Sequence, residues 1–224
     1  MELPFTQDAF FAVFGRYNTT IWPLIALFYL LGGASVGLLF RPSRAASTFV
    51  TLTLACMWLV NGVGYHWTFF RAINPAAVLF GAIFVLQAAL LVFVSLRKTD
   101  LRFTTRRDAR TAVGLFLILF AAVLYPLWGW FAGHLWPKMP AFGVAPCPTT
   151  IFTIGILLMG SWHVVRWLLI LPGIWAAVGG SAAILLGVPQ DFALLAALVL
   201  LILFAVARLA GVGLARHGDT EPVS

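Results

Sequence analysis

Charge is what this sequence has least of. Only 9% of its 224 residues are Asp, Glu, Lys or Arg, where soluble domains carry about 25%. Acids are scarcest of all. None falls inside a long apolar run, and Asp191 stands only at the edge of one. Proton and cation carriers usually need a buried carboxylate, so that class is disfavoured. The last apolar run has no lysine, which excludes a retinal Schiff base. Two cysteines, Cys56 in mid-run and Cys147 in a connector, are too few for a disulfide framework, and no bridge between them is expected. There is no P-loop, HExxH or GxSxG pattern. The basic stripe with interleaved aromatics that marks nucleic-acid binding is also missing. The opening stretch "MELPFTQDAFFAVFGRYN" has no basic n-region and no clean apolar core, so the first spanning run is expected to act as its own insertion signal.

What remains is apolar. Hydrophobic residues make up 62% of the chain, and mean hydropathy is +1.01. This composition predicts one all-α integral membrane domain, because lipid leaves backbone groups no partner outside their own helix. About 20 apolar residues cross the hydrocarbon core. Seven runs qualify as candidates: Thr20–Phe40, Ala46–Phe69, Pro75–Leu96, Thr111–Gly133, Thr149–Val165, Trp167–Val188 and Phe192–Ala207. The fifth is short, and Gly160-Ser161 offers a place for it to break. Residues 1–19 are expected to form an outer interfacial amphipathic helix, with Phe10, Phe11, Phe14 and Tyr17 on one side. The transmembrane bundle then covers residues 20–214, and a cytoplasmic tail covers 215–224.

The formal net charge is +7. Arg41, Arg44, Arg97, Lys98, Arg102, Arg106, Arg107, Arg110, Arg166, Arg208 and Arg216 fall on one side of this threading. Arg16, Arg71 and Lys138 fall on the other. The positive-inside rule then puts the N-terminus outside and the C-terminus in the cytoplasm. The basic loop at 97–110 is expected to attract anionic lipid headgroups. Within it, Thr105 followed by Asp108 reads as a cap for the fourth helix. Asp191 reads as a cap for the seventh.

Polar variety gathers on the predicted outer side. Asn61, Tyr65 and His66 lie in "NGVGYHWTFF", where Asn61 and Tyr65 are four apart and would share a helical face. The connector "GHLWPKMPAFGVAPCPTTIF" holds Pro137, Pro140, Pro146, Pro148, His134, Cys147 and Thr149. Its prolines fix φ and extend the residues before them, which predicts a stiff extended cover. Asn61, Tyr65, His66, His134, Cys147, Thr149 and Asp191 are therefore the candidate solute-binding residues. For Asn61 the competing reading is interhelical glue. His66, His134 and Cys147 are the candidate metal ligands, with imidazole and thiolate suited to zinc or copper. No tight CxxC or HxxxH spacing supports that set. A bis-histidine haem is opposed by depth, since His66 and His163 would lie roughly 20 Å apart.

The stretches "PFTQDAFFAVFGRYN", "NGVGYHWTFFRAINPAA", "FGVAPCPTTIFTIGILL" and "GGSAAILLGVPQD" resemble an uncharacterised family of bacterial polytopic membrane proteins. Its members are labelled as a domain of unknown function, sometimes as permeases. The resemblance implies a multi-pass protein of the bacterial inner membrane and brings no activity with it. The reading expected from the sequence is a small permease or channel-like protein, passing a small neutral or anionic solute through an outer polar pocket. The alternatives are a membrane-embedded metal protein or enzyme at the His/Cys residues, and an accessory subunit that docks a partner. The composition leaves room for a homo-oligomer.

Overall fold

The computed structural model describes residues 4–97 and 100–209, and they are mostly helical. Helix α1 spans Gln7–Leu39, opened by Thr6, whose Oγ1 accepts from Ala9 N. Its backbone leaves helical geometry at Ile21, two residues before Pro23. Proline inside a helix removes a hydrogen bond and crowds the carbonyl four residues back, which accounts for the kink. The segment expected as a separate interfacial helix is thus the first half of α1. It does not float free, because Phe10, Val13, Phe14, Tyr17 and Asn18 are buried against the bundle.

Helix α2 covers Arg44–Val60 and continues into a π-helical stretch, Asn61–Phe69. Helix α3 is Ala77–Leu96. Helix α4, Ala109–Leu119, passes through a π-helical turn at Phe120–Leu124 into α5, Tyr125–Phe131. The N-cap of α4 is Asp108, whose Oδ1 accepts from Thr111 N at 2.8 Å, and not Thr105 as the sequence suggested. Then come α6, Pro146–Leu158, α7, Trp162–Leu168, α8, Ile170–Leu185, and α9, Phe192–Leu209. Among the described residues, five stretches are long and apolar enough to cross a membrane: Gln7–Leu39, Arg44–Ala72, Ala77–Leu96, Ala109–Phe131 and Pro189–Arg208. The pair α7 and α8, bent by 40°, would make a sixth. The expected tail at 215–224, with Arg216, lies outside the described residues, as does Lys98.

Helix α6 is the centre of the molecule. Every residue in it except Cys147 is buried. Its 13 residues reach about 20 Å by helix rise, well short of a hydrocarbon core of about 30 Å. It enters and leaves through irregular backbone. Non-helical backbone at that depth is tolerated only where protein supplies the missing hydrogen bonds. Helix α4 crosses α6 at backbone contact. A Cβ on Gly155 would lie 2.7 Å from the Gly114 carbonyl oxygen, and one on Gly114 would lie 2.6 Å from that of Gly155.

The proline-rich connector is not an extended outer cover. It turns at residues 135–138 and again at 142–144, and Ala141, Phe142, Val144 and Ala145 are buried. Gly143 makes this path possible. Its φ is +78°, and the Phe28 Cβ would sit 2.6 Å from any Cβ placed there. The prolines stiffen the connector locally, but the apolar run between them draws the chain inward. Pro146 and Pro148 then occupy the first turn of α6, where a missing N–H costs little. The far end of α6 breaks at residues 159–161, as Gly160-Ser161 suggested. There Phe103 and Gly160 form a single antiparallel bridge.

Candidate functional site

Polar side chains inside this bundle divide by what they touch. One group completes broken backbone. Asn18 Nδ2 donates to the carbonyls of Pro137 and Met139, both at 2.7 Å. Asn61 Nδ2 donates to Gly143 O at 3.2 Å, to Met57 O at 2.8 Å and to Thr149 Oγ1 at 3.2 Å. Gln87 Nε2 donates to Leu168 O at 2.9 Å, where α7 gives way to α8. Arg110 donates from one terminal nitrogen to Leu158 O and Gly160 O at the end of α6. Asn61 is thus glue, of a kind specific to this fold, because it ties α2 to the descending connector.

The second group faces a cavity. About 140 Å³ of space is lined by Tyr65, His66, Cys147 and Asp191, walled by rings that include Phe10, Phe14, Phe70, Phe80 and Trp175. Two local features aim these side chains. Tyr65 and His66 lie in the Asn61–Phe69 π-helix, whose i→i+5 bonding widens the turn and rotates residues off the faces an α-helix would give them. The second π-helical turn immediately precedes Tyr125.

Asp191 is only 1% exposed. Its Oδ1 accepts from the Tyr125 hydroxyl at 2.5 Å. It sits in the 3₁₀ turn Pro189–Asp191 before α9, and the bond to Tyr125 replaces the capping role expected for it. The Cys147 thiol lies among Asp191, Tyr125 and Trp175. The His66 ring is fully buried, with ring centroids of Phe84 at 4.9 Å and Trp175 at 5.1 Å. Among the described residues, neither ring nitrogen has a hydrogen-bond partner. Buried polar groups are rarely left so, and each such case calls for an explanation. Tyr65 stacks on Phe14 at 4.8 Å and on Phe70 at 5.4 Å, which fixes its ring in the wall.

Of the seven residues singled out from sequence, Tyr65, His66, Cys147 and Asp191 share the cavity. Asn61 and Thr149 bond to each other and are not in its lining. His134 is also elsewhere, half-buried, its ring tilted against Phe11 with centroids 4.3 Å apart and its Nδ1 3.2 Å from Gln190 Nε2. Burial holds its imidazole below the ordinary histidine value, and the Gln190 contact opposes that shift. Zinc or copper held by His66, His134 and Cys147 together would need the three drawn onto one point. Among the described residues, no three His, Cys, Asp or Glu side chains are grouped to hold a metal. Sequence reasoning missed Tyr125 and Trp175. A lone hydroxyl before Pro126 inside an apolar run was the available signal for Tyr125. Trp175 offered none.

No curated protein and no solved structure matches this chain. A family described as of unknown function, DUF6064, matches residues 7–215, nearly the full length of the sequence. The bundle around the buried α6, with its aromatic cavity, is therefore the fold of a member of the DUF6064 family, to which this chain belongs.

Proposed function

We propose that this protein is a small permease of the bacterial inner membrane that accepts a small organic amine in the cavity beside α6. The observation that carries the reading is the convergence of Tyr65, His66, Cys147 and Asp191 on one aromatic-walled space. Its size suits a ligand of a few heavy atoms, since an engineered cavity of about 150 Å³ holds benzene. The sequence favoured a neutral or anionic solute because it placed no carboxylate within the bundle. Asp191 is buried in the wall, and among the described residues no arginine or lysine lines the cavity. Aromatic rings attract organic cations through their quadrupoles. A carboxylate beneath them adds charge attraction in a medium of low dielectric.

The topology proposed is seven passes, with α6 and its connector counted as one and the bent pair α7 and α8 as another. The N-terminus lies outside, following the basic residues. The cavity then opens outward. Passage rather than storage is supported by α6 itself, a short helix with irregular backbone at both ends. Interrupted helices at substrate sites are a recurring transporter device.

The test uses Cys147 as a reporter in a Cys56→Ser background, reconstituted in vesicles. A membrane-impermeant trimethylammonium methanethiosulfonate is applied first outside and then, in a second preparation, inside. A permease predicts that Cys147 is modified from both faces. Modification from one face only would contradict transport and leave a binding protein.

A further inference from the structure

A second cavity, of about 300 Å³, lies at the opposite end of α6. Its wall includes Arg102, Arg106, Arg110 and Arg208, the hydroxyl residues Thr104 and Ser161, and a single carboxylate, Asp108. We infer that this cavity is a binding site for a phosphate monoester, either the headgroup of an anionic lipid or a soluble phosphate.

Four arginines line this cavity against one carboxylate, and that carboxylate is engaged. Asp108 Oδ1 accepts from Thr111 N as the cap of α4. No carboxylate among the described residues pairs with these arginines within ion-pairing distance. Like charges are costly to gather without a compensating anion.

Arg102 and Arg110 are also held in place. Arg110 is anchored by the Leu158 and Gly160 carbonyls. Its guanidinium carbon lies 5.2 Å from the Trp162 ring centroid, and that of Arg208 lies 5.9 Å from the same ring. Arg110 Nε is buried without a partner among the described residues. Arg102 is tied by its backbone N–H, which donates to Ser161 Oγ at 3.1 Å, and its Nη1 donates to Leu101 O at 3.0 Å. Arg106 and Arg208 are exposed and make no side-chain hydrogen bond among the described residues, so both are free to close on a ligand. Planar guanidinium forks match phosphate oxygens in paired hydrogen bonds, better than ammonium groups do. Basic pockets between helix ends on the cytoplasmic side are a known form of lipid headgroup site. This inference stands apart from the amine reading, because it uses other residues at the other end of α6.

The experiment compares wild type with Arg106→Gln/Arg208→Gln. Neither side chain takes part in holding α6, so the variant is expected to fold. Inorganic phosphate is titrated against purified protein, with chloride at equal ionic strength as the reference, and unfolding temperature is the readout. In a second arm, protein in nanodiscs of phosphatidylcholine, alone or mixed with phosphatidic acid, is released and weighed by native mass spectrometry. Wild type should be stabilised saturably by phosphate, or retain phosphatidic acid, or both. A phosphate response alone identifies a soluble ligand, and retained lipid alone identifies a headgroup. The double variant should lose roughly tenfold or more in affinity for whichever probe binds. If it fails to fold, Arg208→Gln alone serves in its place. Binding no better than chloride in both arms, or equal binding by the variant, would overturn the inference.

Discussion

Asp191 and His66 carry most of the chemical content of the cavity beside α6, and their surroundings give each a distinct expected behaviour. Asp191 keeps its acceptor oxygen in the Asn variant, so Asp191→Asn should leave thermal stability nearly unchanged while removing attraction for an amine. Tyr125→Phe deletes the donor and leaves a buried carboxyl oxygen unpaired. That should cost about 1–3 kcal/mol, read as a lower unfolding temperature in detergent. His66 is the opposite case. Its nitrogens bond nothing among the described residues, so His66→Phe keeps the ring volume and removes only unmet polarity. Stability should hold or rise, and amine binding should weaken. A marked loss of stability in His66→Phe would mean that the imidazole has partners in the native protein and does not face a ligand.

At the scale of elements, the fold depends on a short helix that lipid alone would not support. The asparagines and Gln87 that look out of place in apolar helices each meet a carbonyl that irregular backbone has left without a helical partner. Asn18→Leu should therefore destabilise by about 1–3 kcal/mol by stranding the Pro137 and Met139 carbonyls. Gly155→Ala should destabilise by a similar ~1–3 kcal/mol, because its Cβ would press on the Gly114 carbonyl and backbone yields poorly. Both effects are measurable as shifts in unfolding midpoint. The sequence could locate the break at Gly160-Ser161, since glycine and serine interrupt an apolar pattern visibly. It could not locate the two π-helical segments. A π-turn differs from an α-turn by one residue's register, and the apolar residues of Phe120–Leu124 offer no marker for it. For the same reason Asn61 and Tyr65, which an α-helix would put on one face, have different surroundings. Asn61 turns to the connector and Tyr65 to the cavity wall.

For the molecule as a whole, composition made the helical, membrane-length character plain, because so little charge interrupts the apolar runs. The separation of polar groups was also legible. Asn61, Tyr65, His66, Cys147 and Asp191 gather at one end of α6, and Arg102, Arg106, Arg110 and Arg208 gather at the other. What the sequence could not convey is which of the gathered groups meet, because that depends on the connector sinking between helices and not lying across them. The account rests on the cavity beside α6 being an amine site built around Asp191. Its most direct test is the rate at which a small maleimide alkylates Cys147 in Cys56→Ser protein, measured with and without tetramethylammonium. Saturable slowing by tetramethylammonium, abolished in Asp191→Asn, is the predicted result. Alkylation at one rate with and without the amine would contradict it.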